Sequence, residues 1–105
     1  MQAQEVNPND WNLDENYPIR VLYDDGEFSI IWGMYQNRKS LGTRWNGGIE
    51  RGFPGQGAHP TWYIEPPFIA IAILQRIFTL ALDTTDHKYI ENIKFAISEL
   101  TAYPQ

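Results

Sequence analysis

The sequence predicts an α+β fold in which a four-stranded antiparallel β-meander is followed by two helices packed on one face. Residues 19–45 alternate apolar and polar side chains around two turns, as strands with one buried face do. A short strand at residues 61–65 follows, and then come two apolar segments long enough for helices. The predicted single domain, 1–105, comprises an irregular arm at 1–17, the sheet at 19–65 with a glycine-rich loop at 46–60, and two helices at 66–102.

The N-terminal arm is predicted to be irregular because it is polar and contains a proline and several Asn and Asp residues. Trp11 and Leu13 are its apolar side chains, and we expect them to hold the arm against the body of the protein. Tyr17 precedes Pro18, which favours extended backbone at the entry into the first strand.

Two turns set the register of the predicted sheet. Asp25-Gly26 suits a type I′ hairpin turn, and a second turn is expected at Asn37-Arg38. The pairs predicted outward from these turns are Asp24–Glu27, Tyr23–Phe28, Val21–Ile30, Ile19–Trp32, Met34–Leu41, Trp32–Thr43 and Ile30–Trp45. The face that carries Trp32 and Trp45 is apolar, so both tryptophans are predicted to lie in the core.

The opposite face of the sheet is predicted to be the outer face. Its residues are Arg20, Leu22, Ser29, Ile31, Gly33, Tyr35, Ser40, Gly42 and Arg44. Gly33 is expected opposite Gly42, which leaves a bare patch that another backbone or a flat ligand could approach. The alternative is that the two glycines only allow twist or a bulge in the sheet.

The second half of the chain begins with the loop at 46–60, whose five glycines and two prolines exclude regular structure. Loops of this length are often functional. The helix at 68–82 is apolar nearly all round, so we expect it to be buried on most of its circumference, by the sheet and a second helix or a second subunit. The last helix, 87–102, has a single apolar stripe.

Composition excludes several classes of protein. The chain has no Cys, which rules out disulfides, a thiol nucleophile and Cys-ligated zinc. The net charge of −5 argues against tight non-specific binding to nucleic acid, although residues 36–62 alone carry +3. No segment is apolar over the length that a membrane span needs, and the N-terminus does not resemble a signal peptide. We expect a cytoplasmic protein that does not bind membranes.

Residues that could perform chemistry are few. His59 and His87 are the only histidines, and no ligand-type spacing supports a metal site, so neither a metal nor another cofactor is predicted. His59, in the glycine-rich loop, is the first residue to test as a general base. No nucleophile motif is present, and an enzyme is not favoured.

A cluster of basic and aromatic side chains is the sharpest candidate for binding. Single-strand nucleic-acid sites combine such groups, but Trp45 and Arg44 are expected on opposite faces and could not hold one base together. The predicted binding residues are Arg20, Ile31, Tyr35, Arg38, Lys39, Arg44, Arg51 and His59. The alternative for the outward residues is an ordinary solvated sheet face.

Three patterns carry a resemblance: RWNGG at 44–48, GFP at 52–54 and PTWYIEPP at 60–67. In them the chain resembles small function-unknown proteins encoded in mobile gene cassettes of bacterial integrons, over residues 17–82. The resemblance implies a small, oligomeric accessory protein of bacterial origin. The chain also resembles the single-strand-binding transcriptional coactivator fold, a dimeric four-stranded meander followed by a helix, but it departs from that fold in being acidic and in having a second helix.

Three functions follow from these observations. The first is an accessory binding module, acting as a homodimer, whose outer sheet face and glycine-rich loop bind a partner protein or a small ligand. The second is a weak binder of single-stranded nucleic acid, which is not favoured. The third is a small enzyme with a pocket under the 46–60 loop.

Overall fold

The computed structural model describes residues 5–46, 62–84 and 87–102. It confirms the α+β fold, with a four-stranded antiparallel sheet in the order β1-β2-β3-β4 followed by two helices. The elements are β1 (Arg20–Asp24), β2 (Phe28–Tyr35), β3 (Arg38–Trp45), β4 (Tyr63–Glu65), α1 (Pro67–Asp83) and α2 (Ile90–Thr101). The predicted glycine-rich loop lies outside the described residues except for Asn46.

The turn between β2 and β3 is centred one residue earlier than predicted, on Gln36 and Asn37. Both have positive φ, 48° and 66°, as a type I′ turn requires. The backbone N–H of Asn37 donates to Asn12 Oδ1 at 2.9 Å, so the N-terminal segment supports the turn. The pairing moves by two residues and sets Trp32 opposite Leu41. A shift of two preserves the face of every side chain, so the predicted pairs are wrong but the faces of β2 and β3 are right.

The pairing of β1 departs further from the prediction because the strand bulges between Val21 and Tyr23. Val21 lies opposite Ile31, and Tyr23 lies opposite Ile30 rather than Phe28. In the turn between β1 and β2, Asp25 Oδ1 accepts the backbone N–H of Phe28 at 2.8 Å. A bulge inserts one extra residue, which reverses the face of the residues beyond it.

This bulge places Arg20 and Leu22 on the helix side of the sheet. Leu22 lies in the core formed with the helices, and Arg20 lies opposite Trp32 with its guanidinium over the ring of Phe95 in α2. Their predicted position on the outer face is therefore wrong. Periodicity alone cannot reveal a bulge, because the alternation of side chains restarts after it.

The helix side of the sheet carries the larger core. Its buried residues are Leu22, Ile30, Trp32, Leu41, Ala70, Leu74, Ile77, Ile93 and Ala96. Trp32 is in this core as predicted, whereas Trp45 is 51% exposed and packs edge-on against Phe28 with ring centroids 4.7 Å apart. The prediction that Trp45 is buried is wrong, because it lies at the end of β3, outside this buried cluster.

Helix α1 is buried along one stripe only, formed by Ala70, Leu74 and Ile77. The prediction that it is buried on most of its circumference is wrong, since α2 and the sheet cover one side and Phe68 and Leu82 are exposed.

The reverse side of the sheet carries a second core, of Trp11, Ile31 and Trp62. The N-terminal segment lies along this side, and the backbone N–H of Asn12 donates to the carbonyl oxygen of Met34 at 2.8 Å. Ile31 points away from the helices as predicted, but its exposure is 0%. The expectation of an open outer sheet face is therefore wrong, because the chain itself covers that face.

Candidate functional site

The glycine patch predicted on the outer face lies under the indole ring of Trp11. A Cβ atom built on Gly42 would lie 3.2 Å from Trp11 Cζ2 and Cη2, and one built on Gly33 would lie 3.3 Å from Trp11 Cε3 and Cζ3. The glycines are not opposite each other: Gly33 lies opposite Ser40, and Gly42 lies opposite Ile31. The patch is therefore covered by a side chain of the same protein, and not by the other backbone or flat ligand that one interpretation predicts.

Arg44 lies on the reverse side, as predicted, and is fully buried. Its Nε–H donates to Asn46 Oδ1 and its Nη1–H to the carbonyl oxygen of Glu5, each at 3.0 Å, and its guanidinium Cζ lies 4.1 Å from the ring centroid of Trp62. Burial lowers the pKa of this guanidinium, and the carboxylate of Glu5 opposes the shift. Arg44 thus joins the N-terminal segment to β3, and neither it nor Ile31 can reach a partner without displacing that segment.

Arg20 and Arg44 lie on opposite sides of the sheet. Arg20 Cζ lies 3.9 Å from the ring centroid of Phe95, and its buried Nε has no hydrogen-bond partner among the described residues. These two arginines cannot contribute to one groove, so the predicted basic cluster for single-stranded nucleic acid is divided.

Four side chains form a hydrogen-bonded chain on the helix side. Trp32 Nε1–H donates to Tyr17 Oη at 3.0 Å, and Tyr17 Oη–H donates to Glu99 Oε1 at 2.8 Å. Lys39 Nζ completes it with an ion pair to Glu99 Oε1 at 3.0 Å. Burial, reinforced by Glu99, raises the pKa of Tyr17 to about 12. The hydrogen bonds from Tyr17 and Lys39 hold the pKa of Glu99 below its ordinary value.

A cavity of about 490 Å³ lies beside the start of β3. Tyr35, Arg38 and Lys39, three of the predicted binding residues, lie on its wall together with Glu65 and the beginning of α1. Glu65 was not predicted as a site residue. The sequence carried one signal for it, an acid at the end of a strand directly before two prolines, which turn the chain into the helix.

The exposed side of α1 is the second candidate surface, and we call it the α1 row. Its members are Phe68, Ile69, Ala72, Gln75, Arg76, Thr79, Leu80, Leu82 and Asp83. Phe68 is 73% exposed and Leu82 is 55% exposed, so large apolar groups face solvent near both ends of the helix. The sequence predicts that these residues lie on a helix buried on most of its circumference, because an apolar sequence alone does not indicate which side of the helix faces solvent.

The remaining predicted site residues, Arg51 and His59, lie outside the described residues, so no geometry supports or opposes their roles. Among the described residues, no group of His, Asp and Glu is arranged to hold a metal ion. No helix in the described part of the chain combines the length and hydropathy that a membrane span needs.

Comparison of the chain with protein-family models, with curated proteins and with solved structures gives no match.

Proposed function

We propose that the protein is an interaction module that pairs with a second copy of itself through the α1 row. The observation that carries this proposal is the exposure of Phe68 and Leu82 on a helix whose other side is packed in the core. Single exposed apolar residues are ordinary, but a row of them along one element indicates an interaction surface.

A second copy fits the α1 row because the row is self-complementary when two helices run antiparallel about Gln75. Phe68 of each chain then lies against Leu82 of the other, and Ala72 and Thr79 lie on the same exposed stripe between them. A two-fold interface needs this property, since both subunits use the same patch. The small side chains at 72 and 79 also allow the two helices to approach closely.

The polar residues of the row are compatible with this pairing. Gln75 and Arg76 lie at the centre, where the guanidinium of one chain can donate to the amide oxygen of the other. A single pair of helices buries less surface than a standard interface of about 1,600 Å². We therefore expect a dissociation constant of about 10 µM rather than a permanent dimer.

Light scattering across a concentration series tests the proposal. The wild-type mass is expected to rise from 12.2 kDa toward twice that value as the concentration passes the micromolar range. Phe68→Glu and Leu82→Glu should each keep the protein monomeric, because each places a carboxylate in the interface. Leu13→Glu is the matched control, since Leu13 is 65% exposed on the N-terminal segment. A monomeric wild type at all concentrations would refute the proposal.

Cysteine cross-linking tests the antiparallel geometry. Because the chain has no Cys, an introduced cysteine is its single thiol. Gln75→Cys should form a disulfide-linked dimer under mild oxidation, because residue 75 meets its own copy at the two-fold axis. Leu13→Cys should not do so at the same rate. Equal rates for the two variants would contradict the proposed axis.

A partner protein other than a second copy, a bacterial mobile-cassette origin and a cytoplasmic location stay predictions from the sequence.

A further inference from the structure

The cavity beside β3 exists because β4 is short. β4 pairs with β3 only from Leu41 to Thr43, and the chain then turns at Pro66 into α1. Residues 38–40 therefore have no strand beside them on that side within the described part of the chain. The resulting cavity, about 490 Å³, lies within the range of small-molecule sites.

The walls of the cavity divide into an apolar part and a polar part. The apolar part that a ligand can contact consists of Pro66, Pro67 and Leu100, which are exposed or half-buried. Tyr35 and Gln36 are among the polar groups at the mouth. A ligand for such a cavity has an apolar body and polar groups at one end.

Two opposite charges on the wall are not satisfied by the protein. Arg38 and Glu65 both line the cavity, and neither forms an ion pair with any described residue. Lys39 differs, because its ammonium is already paired with Glu99 at 3.0 Å. The cavity thus offers one free cation and one free anion among the described residues, more than 4 Å apart.

We propose that this cavity binds a free amino acid with an apolar side chain. The carboxylate pairs with Arg38, the ammonium pairs with Glu65, and the side chain lies against Pro67 and Leu100. A zwitterion satisfies both charges at once, whereas a simple organic acid would leave its carboxylate near the carboxylate of Glu65. The site is separate from the α1 row, so this inference does not depend on dimerisation.

Calorimetric titration with three matched ligands tests the chemistry. L-Phenylalanine carries both charges, 3-phenylpropanoate lacks the ammonium, and 2-phenylethylamine lacks the carboxylate. We expect L-phenylalanine to bind with a dissociation constant of about 0.1 mM, and each analogue to bind at least about tenfold more weakly. Absence of binding by both L-phenylalanine and L-leucine at about 10 mM would overturn the proposal, as would equal affinity for 3-phenylpropanoate.

Two substitutions assign the charges to their partners. Arg38→Gln should weaken L-phenylalanine at least about tenfold and leave 2-phenylethylamine unchanged, while Glu65→Gln should weaken L-phenylalanine and leave 3-phenylpropanoate unchanged or tighter. Lys94→Gln, which removes an exposed charge from α2 outside both the cavity and the α1 row, is the control and should change none of the three. Thermal unfolding confirms that each variant is folded. If both variants weaken all three ligands equally, the proposed orientation is wrong.

Discussion

The two sides of the sheet are covered in different ways. On the helix side, α1 and α2 bury an apolar core, and its members in α1, Ala70, Leu74 and Ile77, recur at helical spacing. On the reverse side, segments distant in the sequence converge on Ile31, and polar bonds hold them there: Arg44 and Trp62 both donate to the carbonyl oxygen of Glu5.

This difference shows where the protein can meet a partner. The reverse side is closed by the N-terminal segment and has no accessible sheet surface at Ile31. The helix side is closed over the sheet but leaves the α1 row and the cavity accessible. In the described residues, the accessible surfaces are therefore those of the helices and the start of β3, where we place both proposals.

The change with the largest expected effect on stability is the replacement of a tryptophan on each side of the sheet. Trp11→Ala should lower the free energy of unfolding by about 4 kcal/mol, because it empties the centre of the reverse core. Trp45→Ala, at a half-exposed tryptophan, is the matched control and should cost about 1 kcal/mol or less. Urea denaturation monitored by circular dichroism measures both. Equal losses would mean that the N-terminal segment does not form a core.

A second test removes the polar anchor of the reverse side. Arg44→Met keeps most of the side-chain volume but leaves Asn46 Oδ1 without its donor and removes one of the two hydrogen bonds to the Glu5 carbonyl oxygen, which keeps the one from Trp62. We expect a loss of about 2 kcal/mol, since a buried unsatisfied polar group costs about 1–3 kcal/mol. Arg38→Met on the same strand is exposed and should change stability by about 0.5 kcal/mol or less. If Arg44→Met were neutral, the buried guanidinium would not hold the segment.

A third test, with the smallest effect, uses pH on the helix side. The lowered pKa of Glu99 means that its carboxylate adds stability above its ordinary pKa of 4.5, and that this stability is lost as the pH falls below 4.5. The raised pKa of Tyr17 acts at the other end, where stability is lost as the pH rises from 10 toward about 12.

Glu99→Gln separates the acid effect from general acid unfolding. Its difference in stability from the wild type, about 1 kcal/mol or less at pH 7, should shrink toward zero as the pH falls below 4.5. Glu91→Gln is the control, because Glu91 is a highly exposed residue of the same helix. Melting temperatures across the pH range provide the measurement, and a difference that grows in acid would contradict the role of Glu99.

The fold was predictable from the sequence in the regions where the periodicity of apolar residues and the turn residues determine the structure. The alternation of residues 28–45 correctly separates Trp32 from Ile31, and the apolar spacing correctly predicts two C-terminal helices. The β1 bulge was not predictable, because the alternation of side chains restarts after the extra residue between Val21 and Tyr23. The coverage of Ile31 was not predictable either, because it depends on contacts between residues more than fifty positions apart, such as Glu5 and Trp62.

The candidate site was predictable only in part. Tyr35, Arg38 and Lys39 were selected for charge and aromaticity, and they lie together at the cavity. Arg44 was selected for the same reasons and is buried, since charge says nothing about which segment will cover a side chain. The sequence carried one signal for Glu65, its place directly before two prolines, and the open side of α1 could be recognised only once the packing of α1 was known.

The closure of the reverse side is tested most directly by nuclear Overhauser effects from the indole ring of Trp11. We expect strong cross-peaks from the Trp11 ring protons to the Hα protons of Gly33 and Gly42. If these cross-peaks are absent, and the Gly42 Hα protons are accessible to a soluble paramagnetic probe, the reverse side is open and the central claim is wrong.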